Sequence, residues 1–335
     1  MAMTETGGIA GMGFYLPERR VRVDALAAAA GVPAKVAEYA GAATVREAAE
    51  DVFPVEMALS AAHLALNEAR LDASDLDAIL WCAAAVPEHL MPNTAGLIQH
   101  RLGAGDAQAF DVGQGCAAML TGLQVACSLQ ALDHVVRSVL VVSADKWTAF
   151  TLHHNADSVF FGEGGGAVVL RRAHPHLVPV AFHTITDGQF YGLWQIPAGG
   201  VVRPSSAQTV GTGAHVYQCV DPETAHGAFQ EVYVPTIVRS IRTVLGKAAI
   251  RADQVAFVSM VNANLRVLQL VLEAVGIPEE RSSADYLREY GHFGGQDVFF
   301  NLHRAIAEGR LQSGEHALLV TTGIGFFWVS AVVRC

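Results

Sequence analysis

Asp111-Val112-Gly113-Gln114-Gly115-Cys116-Ala117-Ala118-Met119 is the stretch on which the fold turns. It follows a β-rich run, Gln108-Ala109-Phe110-Asp111-Val112, and opens a segment, 117 to 132, whose apolar residues recur at helical spacing. A strand therefore ends, the chain bends tightly, and a helix begins at once. Glycines on either side of Gln114 permit the bend, and the small residues after Cys116 let the helix start close to a sheet. A thiol there faces the positive end of the helix dipole and free backbone N–H groups, both of which favour the reactive thiolate. On spacing alone, a buried core cysteine is the commoner reading. Cys127, on the same helix, is read as core.

Outward from this turn, apolar β-rich runs alternate with helical patterns. Ala78-Ile79-Leu80-Trp81-Cys82 and Ser138-Val139-Leu140-Val141-Val142 read as buried strands. Near-continuous apolar strands separated by helices indicate an α/β fold with a mostly parallel sheet covered on both faces. The second half repeats the theme, with a helix over about 225–248, a strand at 255–260, a helix from Leu265, and strands from Ala317 to the end. The Gly/Pro-punctuated stretch 187–213 reads as loop or cap. Element order divides the chain into two similar α/β halves, 1–175 and 176–335.

Composition narrows the function. Of 335 residues, 52% are hydrophobic and 16% charged, which suits a well-buried enzyme and argues against disorder. A net charge of -10 without any basic run makes nucleic acid and anionic membranes poor partners. The opening Met1-Ala2-Met3-Thr4-Glu5-Thr6 is too short and polar for a leader, and no apolar run reaches the ~18 residues of a membrane span. Cys82, Cys116, Cys127, Cys219 and Cys335 are odd in number and widely spaced, so neither a disulfide framework nor a metal site is indicated. A reducing, cytoplasmic setting is expected. The His153-His154 and His174-Pro175-His176 groups read as solvated loops rather than metal ligands.

The cysteine turn resembles the nucleophile turn of ketoacyl synthase III enzymes, and further matches follow in register. Gly11-Met12-Gly13-Phe14-Tyr15-Leu16-Pro17 is similar to the family's opening strand, and Phe161-Gly162-Glu163-Gly164-Gly165-Gly166 to its glycine-rich strand. Asn262-Ala263-Asn264-Leu265-Arg266 and Gly323-Ile324-Gly325-Phe326-Phe327-Trp328 complete the set. The resemblance implies a thiolase fold, two duplicated halves in a five-layered αβαβα sandwich, a homodimer, and Cys116 as nucleophile. It implies no permanently bound cofactor; coenzyme A or an acyl carrier protein would bring the acyl group as a thioester.

Two positions depart from the condensing members. The family's histidine before the Asn-Ala-Asn segment is Val261 here, and its asparagine on the later glycine-rich loop is His292. Decarboxylative condensation leaves an enolate that needs preorganised donors, and losing one typically costs ~3 kcal/mol. In exchange, Tyr290-Gly291-His292-Phe293-Gly294-Gly295-Gln296-Asp297 supplies an imidazole with a carboxylate five residues on. An aspartate against one ring nitrogen fixes the tautomer, leaving the other to take protons from Cys116 and from an incoming hydroxyl. The competing reading makes Asp297 a helix cap and His292 a silent replacement.

This pattern resembles the divergent acyltransferases of polyketide pathways, the cervimycin-type malonyl-transferring enzymes among them. That resemblance implies acyl loading on Cys116 and transfer to a hydroxyl of a sugar or polyketide, with an oxyanion hole from the backbone N–H groups of Cys116, Ile324 and Gly325. It places Met91, Asn264 and Phe326 at the substrate pocket, Met91 reaching across a dimer. The family's coenzyme A-binding Trp and Arg are missing, and Arg46, Arg203 or Arg266 are the available substitutes. Starter-unit condensation, and a non-catalytic synthase subunit, are the alternative functions.

Overall fold

The computed structural model describes residues 7–156 and 159–335; the polar opening segment Met1–Thr6 lies outside them. Strands β1 (Gly8–Tyr15), β2 (Ala78–Trp81), β3 (Gln108–Asp111), β4 (Ser138–Asp145) and β5 (Gly164–Arg171) form one sheet in the order β1-β5-β4-β2-β3. Strands β6 (Val178–Thr186), β7 (Val255–Met260), β8 (His316–Gly323) and β9 (Phe327–Arg334) form a second in the order β6-β9-β8-β7. The strands of the first sheet thus end at Arg171 and those of the second begin at Val178.

Five layers follow from what the helices touch. Helix α1 (Pro54–Ala69) covers the outside of the first sheet, against β1, β4 and β5. Four further helices set the layers: α2 (Ala118–Leu132), α3 (Ala228–Ala248), α4 (Leu265–Val275) and α5 (Asp297–Ala307). Helices α2 and α5 lie between the sheets, each touching strands of both, while α3 covers the outside of the second sheet with α4 beside it. A helix enclosed in this way must be apolar around most of its surface. Met119, Leu120 and Leu123 of α2 are indeed fully buried, each worth roughly 1.5–3 kcal/mol. Among the described residues, Gly115–Leu132 is the stretch with the length and mean hydropathy (1.3) of a membrane span. Here it runs through the middle of the sandwich.

The expectation of mostly parallel sheets needs correction. Strand β2 is parallel to β3 and β4, and β7 to β8, but β5 is antiparallel to β1 and β4, and β9 to β6 and β8. Strands buried on both faces read as the same apolar run whichever way they point, so periodicity could not reveal the direction. The glycine-rich run serves packing: a Cβ on Gly165 would come within 2.7 Å of the Met57 carbonyl oxygen of α1.

Candidate active site

Two turns from distant parts of the chain meet at the centre of the sandwich. Cys116 sits on a single 3₁₀ turn, Gly115–Ala117, which leads from the end of β3 into α2. Its carbonyl accepts a hydrogen bond from Thr321 Oγ1 of β8 at 3.0 Å. Opposite lies the 291–296 turn. Gly295 approaches so closely that a Cβ there would stand 2.9 Å from the Cys116 carbonyl oxygen. Gly294 has φ +124, and a Cβ on it would meet Asp145 Oδ2 at 2.1 Å. Gly294→Ala is therefore expected to combine backbone strain with a clash inside the core. The expected loss is about 3 kcal/mol of stability, read as a lowered Tm in thermal denaturation.

The close approach assembles a relay. Cys116 Sγ lies 3.2 Å from His292 Nε2, and His292 Nδ1 lies 2.5 Å from Asp297 Oδ2. Asp297 begins α5, where the helix dipole favours a carboxylate. It also accepts the backbone N–H of Asn262 on Oδ2 (2.9 Å) and of Phe293 on Oδ1 (3.0 Å). With acceptors there, Nδ1 carries its proton toward Asp297 and Nε2 is left to face sulfur. His292 is 2% exposed and Asp297 0%. Burial opposes charging His292, but the Asp297 carboxylate and the Cys116 sulfur outweigh it and hold the ring well above the usual imidazole range.

A cavity of about 410 Å³ opens onto the sulfur. Asn264, Phe326, Ile324 and Val261, the last at 3% exposure, are among the residues that line it. Asn264 also caps α4, its Oδ1 accepting from the Val267 N–H at 3.1 Å. The Ile324 amide packs on the cysteine turn: a Cβ on Gly115 would lie 3.0 Å from its nitrogen. Gly325 is not among the lining residues, and Met91 stands apart from its own chain's cavity, 99% exposed with φ +84.

Other expectations are corrected. His154 is not solvated: it is buried, with Nδ1 on the Phe161 carbonyl (2.9 Å) and Nε2 on Glu47 Oε2 (2.8 Å). Arg46 is buried and donates to the Pro17 carbonyl at 3.0 Å, so it cannot receive a phosphate at the mouth. Arg266 does line the cavity. The sequence reading missed Trp147, Tyr217, Phe229 and Tyr233, which give the cavity its aromatic walls. Phe229 and Tyr233, four residues apart with ring centroids at 5.1 Å, could have been read as one helical face.

Thiol chemistry should distinguish Cys116 from the core cysteines. Burial pushes the Cys127 thiol up to about 12 and raises that of Cys82 as well, whereas Cys116 is only partly buried and faces an imidazole. Brief treatment with iodoacetamide at neutral pH is expected to alkylate Cys116 and spare Cys82 and Cys127 in peptide mass mapping.

Comparison with known proteins agrees with this architecture. Residues 110–188 match the family described as 3-oxoacyl-[acyl-carrier-protein (ACP)] synthase III, and residues 245–335 match the C-terminal part of the same enzymes. The chain is 30% identical over 290 residues to a beta-ketoacyl-[acyl-carrier-protein] synthase III of Roseiflexus sp. (strain RS-1), covering 86% of each. It is also 30% identical over 337 residues to synthase III 3 of Streptomyces coelicolor, covering 99% of this chain and 98% of that one. The crystal structure of the Aquifex aeolicus synthase III superposes with a TM-score of 0.83 at 26% identity, covering 98% of this chain and 100% of that one. The two-sheet sandwich is thus the thiolase fold, and the chain belongs to the 3-oxoacyl-[acyl-carrier-protein] synthase III family.

Proposed function

We propose that this member of the family is an acyltransferase that loads an acyl group on Cys116 and passes it to a hydroxyl of a sugar or polyketide, forming an ester in secondary metabolism. The observation that carries the reading is the continuous Cys116–His292–Asp297 relay beside Val261, which offers no donor to an enolate. In the first half-reaction the sulfur attacks the thioester carbonyl of coenzyme A or a carrier protein. The new carbon–sulfur bond replaces the old one, and His292 returns a proton to the departing thiol. In the second, His292 Nε2 takes the proton of the acceptor hydroxyl as its oxygen attacks, and Cys116 leaves as thiolate. The N–H groups of Cys116, Ile324 and Gly325 are the proposed oxyanion donors.

Acylation itself prepares the base. Part of what keeps His292 charged is the Cys116 sulfur. Once that sulfur is esterified this contribution is lost, and the neutral ring can act on the hydroxyl. The donor side is supported by the relatives, whose names include acyl carrier protein, and by Arg266 at the cavity. The exposed Leu90 and Met91 belong to a proposed homodimer, and five free cysteines suit a cytoplasmic setting.

Decarboxylative condensation is the second reading, favoured by family membership and opposed by Val261. Intact-mass analysis with a panel of acyl-coenzyme A thioesters, then a challenge with hydroxylated acceptors, separates the two. Ester formation with no carbon dioxide is the result expected. Carbon dioxide release with extension of a malonyl carrier would overturn it.

A further inference from the structure

Asp145 ends β4 and has no exposed surface. Its Oδ1 accepts the N–H groups of Ala84 (2.9 Å) and Ala85 (2.7 Å), on the segment that forms one wall of the cavity. Its Oδ2 has no partner among the described residues. That oxygen lies against the turn that carries His292. The point where a Cβ of Gly294 would sit is 2.1 Å from Asp145 Oδ2 and 2.7 Å from Gln296 Oε1. Gln296 Nε2 is 2.8 Å from the same point, so the unpartnered carboxylate oxygen and the Gln296 amide both border the space that Gly294 leaves open.

Counting hydrogens decides what lies between them. Gln296 Nε2 gives its two hydrogens to the carbonyls of Gly164 and Phe293. The Ser143 hydroxyl fills one lone pair of Gln296 Oε1 at 3.0 Å. One lone pair on Oε1 remains, and no amide hydrogen among the described residues reaches Asp145 Oδ2. Leaving Oδ2 bare in a buried site is costly, and a proton on the carboxyl, given to the open lone pair of Oε1, removes the cost.

We propose that Asp145 is a positioning residue of the active site: as a neutral acid it donates from Oδ2 to Gln296 Oε1 and clamps the 291–296 turn, with His292, between the Ala84 wall and Cys116. The inference rests on the reading of His292 as the base for Cys116. Burial pushes the Asp145 carboxyl up to about 7; the Ala85 and Ala84 amides and His292 oppose the rise, and Asp297 adds to it. The charged groups facing it are His292 and Asp297 on the turn, with the Cys116 sulfur behind His292. The 84–85 segment presents only backbone amides. Lys146 points to the carbonyls of Ala49, Glu50 and Val52, and Glu163 is occupied by the amides of Ala48 and Thr148. As pH rises through about 7 the proton leaves, a second negative charge appears near Asp297, and the clamp opens.

Asp145→Asn tests this, because its Oδ1 keeps both amides while Nδ2 supplies the hydrogen to Gln296. Loading and transfer in Asp145→Asn should stay within about threefold of wild type near pH 6 and persist near pH 8, where wild type declines; Asp145→Ala should lose about tenfold or more at both. Asparagine behaving like alanine at every pH would overturn the proposal. A second measurement needs no substrate. The folded carboxyl holds its proton to about 7, whereas an unfolded aspartate releases it near 3.8. Wild type thus loses stability as pH rises across that window, and asparagine does not. The Tm of Asp145→Asn relative to wild type should climb between those two pH values and level off above. A difference flat in pH means an ionised Asp145 and ends the inference, even if acyl transfer is intact. Failure of wild type to load Cys116, with the Tm trend present, would count instead against the functional reading on which the positioning role depends.

Discussion

Cys116→Ala is expected to abolish the covalent acyl adduct and lower transfer by about a thousandfold or more. The loss should be this large because nothing else can replace the sulfur. Cys82 and Cys127 are buried and their thiols raised, so neither supplies thiolate at neutral pH. The remaining Cys219 and Cys335 do not line the cavity. His292, held charged between Asp297 and the sulfur, stabilises a thiolate only at position 116. The alanine variant should fold normally, since Cys116 is only partly buried and its structural contacts run through its backbone carbonyl. Intact mass after incubation with an acyl-coenzyme A thioester is the measurement. An adduct of unchanged yield on Cys116→Ala would remove the nucleophile from position 116.

What the sequence disclosed depended on how local the information was. The cysteine turn was legible because nine consecutive residues carry it: a β-rich run, two glycines and a small-residue helix start. The His292–Asp297 pair was legible for the same reason, as five residues on a glycine-rich turn can fold a carboxylate back onto an imidazole. That the imidazole would then meet the cysteine was not local. It depended on the family resemblance, and the contact spans 176 residues. Of the aromatic walls, Phe229 and Tyr233 share a helical face, but Trp147 and Tyr217 come from separate segments, and nothing local joins them to it. His154 was misread because its two partners, the Phe161 carbonyl and Glu47, are set by tertiary packing. Asp145 gave one faint signal, an acid at the end of a strand that is mostly apolar and fully buried. Its importance arises only from Gly294, 149 positions later, whose missing side chain makes room for the carboxyl oxygen.

The second large effect belongs to Asp297. Asp297→Asn should reduce transfer by about 10² to 10⁴-fold, by the logic of an orienting carboxylate in a nucleophile–base–acid relay. Asp297 accepts from His292 Nδ1, the Asn262 N–H and the Phe293 N–H, so both of its oxygens are acceptors. Asparagine must turn an NH₂ group toward one of those donors. If it turns toward the ring, the tautomer inverts and Nε2 can no longer accept a proton from the hydroxyl. The pH dependence separates this from simple loss of structure. Loading uses charged His292, so it should hold at neutral pH. Transfer uses neutral His292 in the acyl-enzyme, so its rate should rise with pH as the ring gives up its proton, most cleanly in an Asp145→Asn background that lacks the fall at higher pH. Asp297 is the charge that most favours the imidazolium after burial has opposed it. Removing it should move the rise in transfer to lower pH while lowering the plateau. Rapid-quench measurement of the two half-reactions across pH, with thermal denaturation to confirm folding, reads both effects. A plateau lowered with no movement of the pH profile would mean that the carboxylate shapes the turn without setting the charge of the base.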